Sequence, residues 1–362
     1  MLHNGLLFVL GITALIAGAE ALVYGASRIA RSFGVSPLVI GLTIVAIGTT
    51  SPEIAVSVGS VLSGQPDLAV GNIVGSNIAN VLVILGLTAV IAPLAVHVQV
   101  IRQEVPIMIG AALLFAVMVA DGRLGRSDSI LLALLIPVYM IYLIRQSRTE
   151  SSETRQPYED AMVREGRLEG RWILQLLLIA GGIALLVLGS QWLVSSSVEF
   201  ARALGVSELV IGLTIIAAGT SMPEIATSVL AAIRGESDIA VGNVVGSNTF
   251  NVLGGLGIAG AVSPDGLPMA PAVMNFDIWV MMAATVACLP VFMAGRRIGR
   301  MKGLMFLGFY VAYVTYLILD ASGHDALPRY SSIMISFVLP LTVVTLVAMV
   351  LRDQRRRSKS TN

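Results

Sequence analysis

The chain has 362 residues and a net charge of +1, with 56% of its residues hydrophobic and 12% charged, and its mean hydropathy is +0.86. That balance points to a protein dissolved in a bilayer and gives no sign of a nucleic-acid partner. One cysteine, Cys288, excludes an internal disulfide framework.

Apolar runs of about 20 residues, the length that crosses a bilayer core as a helix, recur from end to end. They predict an all-α polytopic membrane protein with eleven spans, in order 5–27, 37–62, 68–92, 104–120, 128–145, 172–198, 207–232, 239–262, 274–294, 302–320 and 331–351. The first has no Lys or Arg before it and Arg28 and Arg31 just after it, the reverse of a cleaved signal peptide, so it is expected to stay in the mature chain. The second contains "IVAIGTTSPEIAVSVG" (44–59), with a proline beside the ionisable Glu53, and the third contains "GNIVGSNIAN" (71–80). The polar stretch "RQSRTESSETRQPYEDAMVREGRLEG" (145–170) follows the fifth span and reads as a cytoplasmic linker. The expected organisation is a first five-helix unit at 1–145, a linker at 146–170, a second five-helix unit at 171–321, and an extra span with a basic tail ("RRRSK") at 322–362. With the N-terminus outside, 19 of the 23 basic residues fall on the cytoplasmic side, and only Arg123, Arg126, Arg202 and Arg329 lie outside. The positive-inside rule therefore orients the chain in the cell (inner) membrane, with the linker and C-terminus cytoplasmic.

The second unit repeats the first. Residues 34–59, "GVSPLVIGLTIVAIGTTSPEIAVSVG", return at 205–230 as "GVSELVIGLTIIAAGTSMPEIATSVL" with 19 of 26 positions identical, and 64–86 return at 235–257 with 15 of 23 identical. Both elements are offset by 171 residues. Because an odd number of spans, five, separates the copies, they are expected to cross the membrane in opposite directions. Inverted repeats suit alternating access, since a site at their interface reaches both faces by equivalent routes.

The repeated elements concentrate oxygen. Pro52 cannot donate to the Gly48 carbonyl, nor Pro223 to that of Gly219, so both helices are expected to break there and free carbonyls at membrane depth. Thr49 and Glu53 are four apart and share a helix face, as do Thr220 and Glu224. Ser76 with Asn80, and Ser247 with Asn251, have the same spacing. These are hard ligands, as Na⁺ and Ca²⁺ require. Neither repeat core holds a Cys or His, which argues against zinc or copper. A lone membrane proline often only kinks a helix and a lone glutamate can be a protonated strut, but duplication in antiparallel copies favours the ligand reading. Glu20, whose repeat mate is Gln191, reads as peripheral, and His3, His97 and His324 read as solvated.

The paired "GTTSPE" and "GTSMPE" motifs, each followed by "GNIVGSN" or "GNVVGSN", resemble the two alpha repeats of the calcium/cation antiporter superfamily, especially the prokaryotic calcium/sodium antiporters. The resemblance covers residues 5–320. It implies a ten-helix core in which the second, third, seventh and eighth helices form the ion centre and the first and sixth slide across it. It also implies ion ligands at Thr49, Glu53, Ser76, Asn80, Thr220, Ser221, Glu224, Ser247 and Asn251, with backbone carbonyls of Ala46 and Ala217. Many members carry Asp where Asn251 stands, so two formal charges rather than three are expected here.

The expected function is Ca²⁺/Na⁺ antiport through one alternately exposed site, with two carboxylates neutralised by one Ca²⁺ or two Na⁺ and no resident cofactor. The alternative is cation/proton antiport with Glu53 and Glu224 as H⁺ carriers. A passive channel has less need of the symmetry, and no nucleotide loop or nucleophile–base pair supports an enzyme. A monomer in the lipid bilayer is expected to suffice.

Overall fold

Backbone polar groups cannot be satisfied by lipid, so long helices are the available solution for a chain this apolar. The computed structural model describes residues 2–33, 35–150, 172–204, 219–338, 340, 344 and 347. Its helices are α1 (Leu2–Phe33), α2 (Pro37–Leu62), α3 (Pro66–Ile91), α4 (Val100–Met118), α5 (Arg126–Glu150), α6 (Trp172–Ala203), α7 (Met222–Ile233), α8 (237–262), α9 (Val273–Met293), α10 (Arg300–Ala321) and α11 (327–338). Most of the linker, the first part of the seventh span and the tail lie outside the described residues. Eight of the described helices are long and apolar enough to cross a membrane. α8 is not among them although it matches α3 in length, because its centre is rich in Asn, Ser, Thr and Gly. Residues 239–257 of α8 are all buried, so this helix has no need of a lipid-facing apolar surface.

Glycine closes the two hairpins that matter most. Gly64 (φ 75°) ends α2 and Gly235 (φ 82°) ends α7, and the following N–H groups, of Gln65 and Glu236, donate back to the carbonyls of Ser60 and Ala231 at 2.9 and 2.8 Å. These left-handed caps turn the chain directly into α3 and α8. Glycine also lets α1 meet α6 backbone to backbone. A Cβ at Gly182 would lie 2.7 Å from both the Gly18 carbonyl oxygen and the Leu22 nitrogen, a small-residue seam of the kind that binds helices where lipid supplies no hydrophobic drive.

The duplication extends beyond the two elements in which sequence identity displays it. β1 (Leu94–Ala95) corresponds to β3 (Leu267–Pro268), and the widened π-helical turn opening α4 (Val100–Glu104) to that opening α9 (Val273–Asp277), both at an offset of 173 residues. α3 and α8 widen likewise, at Asn80–Leu85 and Asn251–Leu256. β1 pairs with β4 (Arg297–Ile298), and β2 (Arg123–Leu124) pairs with β3. Each ribbon joins one half of the chain to the other, and since β1 and β2 flank α4, the two ribbons sit at opposite ends of that helix.

One local expectation fails. α2 does not break at Pro52: residues Ala46–Leu62 form one α-helix through it, and the irregularity lies a turn earlier, in the π-helical Gly41–Val45. A single missing N–H is tolerated when flanking turns and packing hold the helix. The copy behaves differently, for α7 begins at Met222 with Pro223 in its first turn, where a missing N–H costs nothing. The Gly219 carbonyl accepts the Ser190 hydroxyl of α6 at 2.6 Å, so protein supplies a partner for it.

Candidate cation site

The two glutamates project from α2 and from the first turn of α7, and each is only 1% exposed. Thr50 donates to Glu224 Oε1 at 3.3 Å, and its repeat mate Ser221 stands beside Glu53. Each carboxylate thus has a hydroxyl from the other half of the chain beside it. Thr49 is also within reach of Glu224, while its hydroxyl donates to Asn243 Oδ1 at 3.0 Å. The Ser221 hydroxyl lies 3.5 Å from that of Ser76, which draws α3 into the same centre.

A network of asparagines surrounds these groups and repeatedly crosses between the halves. Asn243 donates to Ser228 at 3.0 Å and accepts from Thr49. Its mate Asn72 donates to Ser57 at 3.0 Å and accepts from Thr220 at 3.4 Å. Asn80 donates to Asn248 Oδ1 at 3.0 Å, and Asn251 donates to Asn77 Oδ1 at 3.2 Å.

Among the described residues, the buried oxygens on these four helices that take no hydrogen bond are Glu53 Oε2, Glu224 Oε2, Asn80 Oδ1, Asn251 Oδ1 and Ser247 Oγ, together with Thr88 Oγ1 and Thr227 Oγ1, which lie outside the expected ligand set. Leaving a buried acceptor unsatisfied costs about 1–3 kcal/mol, and more when it is charged. The five that belong to expected ligands, on helices α2, α3, α7 and α8, lack the electropositive partner that such atoms require. Two carboxylates with neutral amide and hydroxyl oxygens suit a hard cation. Among the described residues no group of three or more His, Cys, Asp or Glu could hold a metal ion, so a cation held here would need neutral oxygens as well.

Of the remaining expected ligands, the Ala46 carbonyl accepts weakly from Thr49 at 3.3 Å, and Ala217 lies outside the described residues. Thr220 sits in a turn just before α7 rather than on the helix face it was expected to share with Glu224. Sequence reasoning passed over Thr50, Asn72, Asn77, Asn243 and Asn248; the signal was available, since each asparagine recurs at the same offset as the ligands beside it. Glu20 is paired with Arg234 beyond the end of α7. Beside that pair, Ser27 of α1 donates to Glu236 at 3.1 Å, and a cleft of about 240 Å³ opens between α1 and the α7–α8 corner.

Comparison with known proteins adds an independent line. Residues 3–145 and 174–319 match the family described as sodium/calcium exchanger protein. CaxA of Alkalimonas amylolytica, named as a putative antiporter, is 40% identical over 324 residues, covering 86% of this chain and 98% of its own. The sodium/calcium exchanger MaX1 of Methanosarcina acetivorans is 33% identical over 345 residues, covering 87% and 98%. A solved structure of the sodium-calcium exchanger NCX_Mj, soaked with zero Na⁺ and Ca²⁺, superposes with a TM-score of 0.74 at 30% identity, covering 88% of this chain and 100% of that one.

Proposed function

This chain belongs to the sodium/calcium exchanger family, a family of transporters and not of enzymes, and on that premise we propose that it exchanges Ca²⁺ for Na⁺ at the buried centre between α2, α3, α7 and α8. The observation that carries the reading is that five oxygens of the expected ligands, two of them carboxylate and supplied by both halves of the chain, have no partner among the described residues. Ligands are Glu53 and Glu224, with Asn80, Asn251, Ser247, Ser76, Ser221, Thr49 and Thr220 and the carbonyls of Ala46 and Ala217 completing the shell as each cargo requires. Two carboxylates supply a charge of −2, which one Ca²⁺ or two Na⁺ neutralises. The empty, ionised site is costly in low dielectric, so the protein changes face readily only when loaded. Coupled exchange follows from that obligation.

The two units are inverted repeats that expose the site alternately. Supporting this, equivalent strands of the two units belong to ribbons at opposite ends of α4, and exchanging the units maps one ribbon onto the other. The glycine seam joins α1 and α6 into one body that moves across the centre. The N-terminus lies outside the inner membrane in this reading, which the charge bias of the loops supports.

The test is uptake of radiolabelled Ca²⁺ into proteoliposomes loaded in turn with Na⁺, with K⁺, or with a pH gradient. Uptake that needs internal Na⁺ is expected. Uptake driven equally well by the pH gradient would make the protein a cation/proton antiporter instead, and counter-ion-independent conductance would make it a channel.

A further inference from the structure

Two methionines outside the four site helices end the asparagine network. Asn77 Nδ2 lies 3.5 Å from Met281 Sδ on α9, and Asn248 Nδ2 lies 3.6 Å from Met108 Sδ on α4. The two methionines are themselves repeat mates at the 173-residue offset shared by α4 and α9. All four side chains are buried.

A thioether carries lone pairs and no proton, so a partner can only donate to it. An amide, by contrast, has a donor end and an acceptor end of nearly equal shape. The sulfur therefore breaks the symmetry of Asn77: its nitrogen faces Met281, and its oxygen is turned toward α8. That oxygen accepts from Asn251 Nδ2, which in turn leaves Asn251 Oδ1 as the free end. The same sequence runs through Met108, Asn248 and Asn80, and leaves Asn80 Oδ1 free. In an empty site the carboxylates would draw amide N–H groups inward, since such bonds are charge-assisted. The relay opposes that self-filling.

We infer that Met281 and Met108 are positioning residues that, through Asn77 and Asn248, turn the amide oxygens of Asn251 and Asn80, rather than their N–H groups, toward the transported cation. This rests on the exchange reading above and adds the device that makes a neutral amide a dependable ligand. It also ties Asn251 to its surroundings: a carboxylate at that position has no N–H to donate to Asn77, so it cannot join the relay as it stands.

Equilibrium binding of radiolabelled Ca²⁺ to the purified protein without Na⁺ tests the idea. Met281→Leu keeps the volume and removes the acceptor. It is expected to weaken Ca²⁺ binding between about twofold, if the two amide orientations become equally populated, and about tenfold, if the inverted one prevails. Met108→Leu should do the same through Asn80. In an Asn251→Asp background, where no amide orientation remains to be set, Met281→Leu should cause no further loss. Packing damage alone would appear equally in both backgrounds and would overturn the relay, as would parental affinity in Met281→Leu. A parent that binds no Ca²⁺ at all would overturn the exchange reading and the relay with it.

Discussion

Glu53 and Glu224 carry the only formal charge among the five unpartnered oxygens of the expected ligands, so the proposed site is tested most directly there. Glu53→Gln or Glu224→Gln keeps shape and one oxygen but removes half the site's charge. Losing a buried charged contact costs about 3 kcal/mol, so Ca²⁺/Na⁺ exchange should fall by about a hundredfold or more in each variant. Initial Ca²⁺ flux into Na⁺-loaded vesicles, normalised to inserted protein, checks this, and a variant working at the parental rate would remove that glutamate from the ligand set. Asn251→Asp tests charge from the other direction. A third titratable group beside two carboxylates should make Ca²⁺ flux more dependent on pH and open the site to a monovalent companion, so that K⁺ or an additional Na⁺ influences it. The parent should be insensitive to K⁺ when an inert organic cation replaces it at constant membrane potential. Identical pH and K⁺ responses in parent and variant would show that position 251 does not set the charge balance.

Helices in this protein are joined by two kinds of contact with different strengths. The α1–α6 seam is backbone on backbone, and Gly182→Ala forces the helices apart at a cost of about 1–3 kcal/mol. The thermal unfolding midpoint of that variant should fall. Gly110→Ala, at a helical position where an added Cβ meets no described atom within 4 Å, should be neutral or stabilising by up to about 1 kcal/mol. Equal midpoints for both variants would mean that the seam is not a close contact in the membrane. The contact between α1 and the α7–α8 corner is of the other kind. Glu20 and Arg234 are 52% and 46% exposed, so their ion pair contributes at most about 1 kcal/mol. Its repeat mates are Gln191 and Ser63, which cannot form such a pair. A weak, one-sided latch is compatible with a helix pair that moves, whereas a buried ion pair there would resist it.

At the scale of the whole molecule, the inversion proposed above is what alternating access requires. Cysteines placed at Gln65 and Ser237, in the equivalent α2–α3 and α7–α8 corners, should react with impermeant reagents from opposite sides of the membrane. The native Cys288 is fully buried and gives little background. Reaction of both from the same side would remove the inverted repeat and alternating access with it. The two strand ribbons serve the same architecture, because each pins one half to the other at an end of the bundle while leaving the α1–α6 pair outside the clamp.

Sequence alone determined the features that depend on solvent and on local periodicity. A bilayer demands long apolar helices, so the described helices fall on the expected spans, α7 covering only the later part of its own, and the constant offset of 171 residues marked Glu53 and Glu224 as a pair. Tertiary structure decided what depends on packing between residues far apart in the chain. That Pro52 is carried inside a continuous helix, that the Gly219 carbonyl is taken by Ser190, and that Glu20 meets Arg234 all follow from neighbours supplied by other helices. The same holds for the amides. Asn80 and Asn251 were visible as oxygen-bearing residues, but which end of each amide is free is set by partners 168 and 174 residues away, because an amide looks nearly the same in either orientation until a neighbour that can only accept distinguishes them.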